Sequence, residues 1–184
     1  MSTLQGKKIA VLTSQEGVEK AELESPIAAI RDAGGTAVHL APKLEPVQSM
    51  VGDTDKDATF EPDATVSDVD VADFDALVIP GGTVNADHVR GDAASVALVT
   101  AFVEANKPVA AICHGPWALV EAGVLPGKTL TSFPTLKTDI VNAGGSWVDE
   151  TVFHCPGNGW DLITSRNPDD LEAFNAKIAE VVGG

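Results

Sequence analysis

Apolar residues along the chain form two kinds of segment: short continuous runs and longer stretches with helical spacing. The short runs predict buried strands, and they cover residues 7–13, 36–41, 76–80 and 108–112. The longer stretches predict helices, and they cover residues 22–33, 93–105, 115–122, 135–143 and 168–182. Because strands and helices alternate at the spacing of βαβ units, we expect the strands to pair in parallel.

The C-terminal part of the chain adds shorter strands, one at Leu130 and two at 147–153 and 161–164, the last two separated by the turn-rich sequence C-P-G-N-G. Asn167 is suited to cap the last helix, because a proline and two acidic residues follow it. We see no internal repeat or linker, and 184 residues suit a single core. We therefore predict one α/β domain over residues 1–184, with a doubly wound, mostly parallel sheet.

Residues 42–75 interrupt this pattern. They are rich in Asp, Pro and Thr and contain only short alternating stretches such as T-F-E-P and T-V-S-D-V. A long structureless loop is unusual inside a compact domain. We therefore expect a small hairpin or a similar excursion here, in a position to cover a neighbouring subunit.

The charge of the chain narrows its possible partners. There are 27 acidic and 12 basic residues, which give a formal net charge of −15. Nucleic acids and anionic membranes are bound by clusters of Lys and Arg, so neither is expected as a partner. The same composition is compatible with a well-solvated surface or with adaptation to high salt. No apolar run approaches the roughly 20 residues of a membrane span, and no signal-peptide core is seen, so we expect a cytoplasmic protein.

The nine residues from Ala111 to Leu119, A-I-C-H-G-P-W-A-L, are the strongest chemical signal in the chain. They predict that a buried strand stops at Cys113, turns sharply and continues into a helix. A cysteine after an apolar strand is often only a small buried residue. The adjacent His114, the following Gly-Pro and the Gly81-Gly82 pair after another strand favour a nucleophile instead.

A helix start supplies partial positive charge, so we expect it to lower the pKa of the Cys113 thiol, which is ordinarily near ~8.5. The backbone N–H groups of His114 and Gly82 are then placed to hold an oxyanion. Gly82 suits that role because no side chain prevents a close approach of its backbone. The two cysteines, Cys113 and Cys155, are too few for a secreted disulfide framework, and we expect both to be free.

At this point the chain is identified as a member of the PfpI branch of the ThiJ/PfpI superfamily, from segments in the family's order along nearly the whole chain. The matching segments are residues 17–26, 73–82, 86–90, 108–116, 127–132 and 163–171. The segment A-I-C-H-G-P at 111–116 is specific for the family by itself, whereas each of the other segments alone would be a weak signal. The resemblance implies a flavodoxin-like sandwich, with the cysteine on a strained nucleophile elbow.

The resemblance also implies partners for the cysteine. An acid in the first βα loop, matching Glu19, is typically protonated and hydrogen-bonded to the sulfur, with Glu16 and Glu22 as competitors. An acid from a neighbouring subunit, matching Asp87, orients the histidine, so a homodimer or hexamer is implied. Phe133 stands where another branch of the superfamily has a histidine, which leaves His114 as the base. His154 and Cys155 form a neighbouring pair that lacks the four ligands of structural zinc, and no metal is expected.

The resulting functional hypothesis is a cofactor-independent enzyme. The resemblance implies that Cys113 attacks small reactive aldehydes such as methylglyoxal, or their adducts on proteins, as a glyoxalase or deglycase, or else acts as a cysteine peptidase. His114 and Glu19 manage protons and the amides of Gly82 and His114 hold the oxyanion. The alternative is a redox sensor or holdase that works through an oxidisable cysteine.

Overall fold

A seven-stranded sheet forms the centre of the protein, for which the computed structural model describes residues 3–184. In chain order the strands are β1 (Lys8–Leu12), β2 (Glu16–Glu19), β3 (Thr36–Ala41), β4 (Val47–Val51), β5 (Asp55–Phe60), β6 (Ala64–Thr65), β7 (Ala76–Ile79), β8 (Val109–Ile112), β9 (Thr129–Leu130), β10 (Ser146–Trp147), β11 (Val152–Cys155) and β12 (Leu162–Ser165). The central sheet has the order β11-β12-β8-β7-β1-β3-β6. All its neighbours pair in parallel except β11 and β12, which are antiparallel.

Helices cover both faces of this sheet. They are α1 (Lys20–Asp32), α2 (Thr83–Gly91), α3 (Ala93–Glu104), α4 (Trp117–Glu121), α5 (Lys137–Asn142) and α6 (Leu171–Gly183). Short 3-10 turns lie at Val66–Asp68, Val71–Asp73, Pro134–Leu136, Gly157–Gly159 and Pro168–Asp170. The predicted doubly wound α/β fold is therefore confirmed. Among residues 3–184, no helix is both long enough and apolar enough to cross a bilayer.

The strands supply one core on each face because alternate side chains point to opposite sides. Val11 and Val78 pack with α1 and α6 in one cluster. Ala10 and Leu77, their chain neighbours, pack with α3 and α4 in the other. All four residues are almost completely buried. The continuous apolar runs that predicted strands are thus buried on both faces, as parallel sheets require.

Within residues 42–75, β4 and β5 form the predicted hairpin, joined by a turn at Gly52–Thr54, and β6 returns the chain to the edge of the central sheet. β4 also pairs in parallel with β2, which was not predicted, and the three strands make a small separate sheet. β2 follows β1 closely in the chain, so the hairpin is fastened near the carboxyl end of β1. The tip of the hairpin therefore lies near the sheet edge at which a doubly wound fold binds ligands.

Most predicted helices are present with shifted ends, and α2 at Thr83–Gly91 was not predicted. The last helix opens with a 3-10 turn at Pro168–Asp170 before α6 begins. Asn167 caps it as predicted, since its side chain accepts the N–H of Asp169 at 3.0 Å. The predicted elements keep their order along the chain, with β2 and α2 added and the strand predicted at 147–153 divided into β10 and β11.

Candidate active site

Cys113 follows β8 directly and has a φ of +61°, a left-handed conformation that non-glycine side chains rarely adopt. Such a conformation costs of order 1–3 kcal/mol and persists only where its surroundings hold it. Here the N–H of Cys113 donates to the carbonyl of Ser165 at 3.1 Å, and that of Gly115 donates to Ile112 at 2.8 Å. A Cβ at Gly115 would lie 2.6 Å from the carbonyl oxygen of Ile79. The predicted elbow is present, and Gly115 is what allows the chain to leave it.

His114 is the nearest base to the cysteine, since its Nδ1 lies 3.2 Å from Sγ of Cys113. The ring is held by aromatic neighbours. Phe133 stacks on it with centroids 4.6 Å apart, and Trp117 is tilted against it at 5.2 Å. Only 5% of His114 is exposed, and this burial lowers the pKa of its imidazole. His114 is therefore a neutral, immobilised base close to the thiol.

The Gly81-Gly82 pair brings backbone against the sulfur. The N–H groups of Gly82 and His114 both point toward the Cys113 thiol and favour its ionised form. A Cβ on Gly81 would lie 2.6 Å from Cβ of Cys113 and would also collide with the carboxyl of Glu22. Gly82 has a φ of +87° and no room for a side chain beside Gly17. The two predicted amide donors thus converge on one atom.

Glu22, rather than Glu19, is the carboxyl in contact with the Cys113 thiol. Glu22 lies in the first turn of α1 and is completely buried. Its Oε2 accepts the N–H of Gly81 at 2.7 Å, whereas its Oε1 has no hydrogen-bond partner among the described residues. Burial raises the pKa of Glu22 to about 8, so the carboxyl is mostly neutral at pH 7.

The prediction that Glu19 contacts the sulfur is wrong because Glu19 and Glu22 lie on either side of the junction between β2 and α1. Glu19 ends β2, and its Oε2 accepts the N–H of Asp53 at 3.3 Å, on the hairpin side of the site. Three residues later the chain has entered α1, where side chains lean back toward the start of the helix. Glu22 thereby reaches Cys113. Glu19 still faces the same cavity, and burial raises its pKa.

The expected lowering of the thiol pKa is wrong. Burial raises the pKa of Cys113, and the neighbouring Glu22 raises it further, against the opposing effect of the Gly82 and His114 amides. The helix after the elbow, α4, has only five residues and begins four positions after the cysteine. Its dipole is therefore short and distant. Burial therefore disfavours the Cys113 thiolate at neutral pH.

Asp87 lies on the exposed side of α2, where its carboxylate binds Arg90 at 2.7 Å and 2.9 Å. Within the chain it does not bind His114. The guanidinium of Arg90 lies over the ring of Trp117 at 4.3 Å, and Trp117 in turn contacts His114. The role of Asp87 across a subunit contact stays a prediction.

A cavity of about 340 Å³ opens onto the sulfur. It is lined by Glu19, Glu22, Gly52, Asp53, Cys113, Phe133 and Pro168. Cys113 is only 5% exposed, yet it forms part of this wall. The volume lies at the lower end of the range for small-molecule sites. The cavity thus has room for a small compound beside the thiol.

Two residues of the site were missed by sequence reasoning. Asp53, at the hairpin tip with a φ of +64°, accepts the N–H of Thr83 at 2.7 Å and its hydroxyl at 3.0 Å. The Thr83 hydroxyl lies 3.4 Å from Nε2 of His114. A Thr after Gly-Gly is a weak signal for a helix start. Asp53, in an acidic segment of irregular pattern, carries no local signal.

The predicted pair His154 and Cys155 lies away from this site. Nε2 of His154 binds Asp161 at 2.7 Å, and Sγ of Cys155 accepts the N–H of Thr129 at 3.4 Å. Cys155 is buried, and both cysteines are free as predicted. In the described part of the chain, no three His, Cys, Asp or Glu side chains converge as metal ligands would.

Comparison with known proteins identifies the group to which this arrangement belongs. A model of the DJ-1/PfpI family matches residues 7–181. The chain belongs to the DJ-1/PfpI family. The predicted resemblance is therefore confirmed over almost the whole length of the chain.

Individual relatives in the DJ-1/PfpI family cover most of the chain. YraA of Bacillus subtilis (strain 168), whose name provisionally describes a cysteine protease, is 41% identical over 92% of this chain and 94% of its own. Protein/nucleic acid deglycase 2 of Escherichia coli (strain K12) is 38% identical over 96% of this chain and 98% of its own. The names of these relatives describe enzymes, with different reactions.

A solved structure gives the same fold. The crystal structure of a two-domain protein from Anabaena variabilis, with DJ-1/ThiJ/PfpI-like and ferritin-like domains, matches with a TM-score of 0.87 at 35% identity. The match covers 96% of this chain and 48% of that one. The present chain thus spans about half the length of that two-domain protein.

Proposed function

We propose that the protein is a cysteine-dependent enzyme that detoxifies small reactive carbonyl compounds or removes their adducts, as a glyoxalase or deglycase. The observation that carries this proposal is the 3.2 Å contact between Sγ of Cys113 and Nδ1 of His114, at the wall of a small cavity. A thiol beside a neutral imidazole is a suitable arrangement for nucleophilic attack on a carbonyl carbon. The deglycase relative supports this class of substrate.

The first step is addition of the thiol to an aldehyde. The Cys113 proton passes to Nδ1 of His114, Sγ bonds to the aldehyde carbon, and the carbonyl electrons move to oxygen. The N–H groups of Gly82 and His114, which point at the sulfur, are near the position where this oxyanion forms. Loss of one such donor typically costs about 3–4 kcal/mol of transition-state stabilisation. Uptake of a proton by the oxyanion completes the hemithioacetal.

Glu22 suits the proton transfers that follow. With a pKa of about 8 it can donate a proton near neutral pH and then act as a base. With methylglyoxal, one hydrogen moves from C1 to C2 and one proton from the C1 oxygen to the C2 oxygen, which gives a lactoyl thioester. Water then hydrolyses the thioester and releases lactate and the free thiol. No electrons are exchanged with an outside donor or acceptor in this sequence.

The cavity argues against peptides as the main substrates. Its volume of about 340 Å³ fits a three-carbon aldehyde or the end of one modified side chain. A peptidase needs room for backbone on both sides of the scissile bond. We therefore favour carbonyl compounds over peptides as substrates. Peptides are still included in the test because the name of the Bacillus subtilis relative describes a cysteine protease.

A redox sensor is the second candidate, and the buried, mostly neutral carboxyl of Glu22 in contact with the thiol favours it. A peroxide converts a thiol to sulfenic acid and water, and a second peroxide gives sulfinic acid and water. A neutral carboxyl next to the sulfur can donate a hydrogen bond to a sulfinate oxygen. This role would use the same cysteine without turnover.

The test is a panel assay with methylglyoxal, glycated thiols and amines, and peptides, on wild type and Cys113→Ser side by side. Cys155→Ser is the matched control, because Cys155 is the other free cysteine and lies outside the cavity. Sustained lactate or free amine from wild type and Cys155→Ser, lost in Cys113→Ser, supports the proposal. Turnover equal in Cys113→Ser and wild type contradicts it. Ready oxidation of Cys113 without turnover assigns the sensor role instead.

A further inference from the structure

Asp53 occupies the tip of the hairpin between β4 and β5 and lines the same cavity as Cys113. Both Gly52 and Asp53 have positive φ values, +62° and +64°. The hairpin is also tied to α1 by an ion pair between Lys20 and Asp57 at 3.1 Å. The tip is therefore tied to its neighbours beside the site, and the proposed catalytic steps leave Asp53 without a role.

The Asp53 carboxylate reaches His114 through one intermediate group. Its Oδ1 accepts the N–H of Thr83 at 2.7 Å, and its Oδ2 accepts the Thr83 hydroxyl at 3.0 Å. The oxygen of that hydroxyl lies 3.4 Å from Nε2 of His114. On the other side of the imidazole, Nδ1 faces Sγ of Cys113. The four groups form a continuous line from carboxylate to thiol.

Hydrogen-bond donors and acceptors along this line fix the tautomer of His114. A threonine hydroxyl has one proton, and an ionised carboxylate can only accept. Because the Thr83 proton points to Asp53, the Thr83 oxygen can only accept from His114. The proton of the neutral imidazole therefore lies on Nε2, and the lone pair on Nδ1 is free to take the proton of Cys113.

We infer that Asp53 is a positioning residue that, through Thr83, sets the tautomer of His114 from within the same chain. The inference rests on the proposed function, in which His114 accepts the thiol proton. Asp53 is an acid of the same chain as His114, so its effect on the histidine does not require a neighbouring subunit. Asp87 differs, because within the chain its carboxylate binds Arg90. The negative charge of Asp53 also favours the imidazolium that forms when the proton is transferred.

Asp53→Asn is the sharpest perturbation because the side-chain amide has only one workable orientation. Its oxygen has to remain opposite the N–H of Thr83, so its NH₂ group takes the place of Oδ2. That NH₂ group donates to the Thr83 oxygen and frees the hydroxyl proton from Asp53, so that it can donate to Nε2 of His114. The imidazole then carries its proton on Nδ1, facing the sulfur, where it cannot accept another.

The first readout is the tautomer itself, measured by two-bond ¹H–¹⁵N correlation of the histidine side chains. The chain has only four histidines, so His114 is assignable by comparison with His114→Gln. Wild type is expected to show the Nε2–H form and Asp53→Asn the Nδ1–H form. A residue that only supported the fold would not exchange one tautomer for the other. An unchanged Nε2–H form in folded Asp53→Asn overturns the inference.

The second readout is the rate at which iodoacetamide alkylates Cys113, followed by mass spectrometry from pH 5 to pH 10. The charged or titratable groups around the reacting pair are Glu19, Glu22 and Asp53, with Arg90 beyond Trp117. We expect Asp53→Asn and Thr83→Val each to slow alkylation at neutral pH by roughly 10²-fold. We expect Thr83→Ser, which keeps the hydroxyl, to retain the wild-type rate, and Asp55→Asn, exposed on the same hairpin, to retain it as well.

Three comparisons decide the result without reference to enzyme turnover. The double variant Asp53→Asn/Thr83→Val should be no slower than either single variant if the two residues act in one line. Multiplying effects, or wild-type rates in Thr83→Val, overturn the inference. A loss in Asp87→Asn together with a wild-type rate in Asp53→Asn also overturns it, in favour of the neighbouring subunit. Failure to process carbonyl compounds would refute the proposed function and leave these measurements valid.

Discussion

Replacing Glu22 by glutamine removes the carboxyl proton beneath Cys113 while keeping the shape of the side chain. Glutamine still accepts the N–H of Gly81 through its amide oxygen, as Oε2 of Glu22 does at 2.7 Å. What changes is the response to pH, because glutamine cannot ionise. The variant therefore isolates the free-energy cost of a carboxylate at a site with an unpartnered oxygen.

The magnitude follows from the two pKa values of Glu22. Burial raises its pKa from the ordinary 4.5 to about 8. Between these values the unfolded chain loses the proton and the folded chain keeps it, so stability falls as pH rises. At 1.36 kcal/mol per pKa unit, the full loss is about 5 kcal/mol across this window. This is comparable with the total stability of many domains, about 5–15 kcal/mol.

The assay is urea unfolding of wild type and Glu22→Gln at a series of pH values from 4 to 9. The free energy of unfolding of Glu22→Gln minus that of wild type should be constant below pH 4.5, rise through the window and level off above pH 8. Glu24→Gln is the matched control, because Glu24 is exposed on the same helix. A difference between wild type and Glu22→Gln that stays flat from pH 4 to pH 9 would refute the buried, neutral carboxyl.

Three further predictions test other parts of the molecule. Gly81→Ala should lower the free energy of unfolding by about 1–3 kcal/mol and slow the alkylation of Cys113, because the new Cβ collides with the Cβ of Cys113. Gly91→Ala is the control and should have neither effect, because a Cβ at Gly91 meets no other atom. Burial lowers the pKa of His39 to about 4, so the unfolded chain takes up a proton at a higher pH than the folded chain. The free energy of unfolding of wild type should therefore fall by about 3 kcal/mol between pH 6.5 and pH 4, and urea unfolding of His39→Gln should not show this fall. The net charge of −15 predicts a melting temperature that rises with NaCl, and a salt-independent value would refute adaptation to high salt.

The parts of the fold predicted from sequence are those with strong local patterns. The runs at 76–80 and 108–112 are buried on both faces, and the structure has strands at Ala76–Ile79 and Val109–Ile112. α2 was missed because its sequence, T-V-N-A-D-H-V-R-G, has a short and weak apolar stripe. β2 was missed because a four-residue strand that pairs only with a hairpin has no periodicity of its own.

The residues of the candidate site also divide into those that a local pattern predicted and those that it did not. Cys113, His114 and Gly82 were predicted because each lies at the end of a buried strand, where sequence position implies location. Glu22 was predicted only as an alternative to Glu19. The two residues are three positions apart, and this small offset decides which side chain faces the sulfur. The difference arises where β2 ends and α1 begins, a boundary that the sequence does not mark. Asp53 reaches the site only through the pairing of β4 with β2, which is a long-range contact.

The direction of the thiol pKa was mispredicted because only the helix start was used for the pKa, although a buried cysteine had been weighed as an alternative to a nucleophile. A five-residue helix contributes little, whereas Cys113 is 5% exposed and lies beside Glu22. Burial is a property of the whole fold and cannot be assigned to a residue from its neighbours in sequence. The corrected direction bears on the proposed chemistry, in which the Cys113 proton passes to His114 as the sulfur attacks the carbonyl carbon.

The site combines two features that local stability disfavours. Cys113 has a left-handed backbone, and Glu22 is a buried carboxyl with one unpartnered oxygen. Each costs free energy that substitution could recover, yet they meet at the same sulfur atom. Natural sequences tend to violate local rules at functional sites and to satisfy them elsewhere. The coincidence of both at Cys113 is therefore itself an argument for chemistry at this position, and it implies that stabilising substitutions here reduce the reactivity of the thiol.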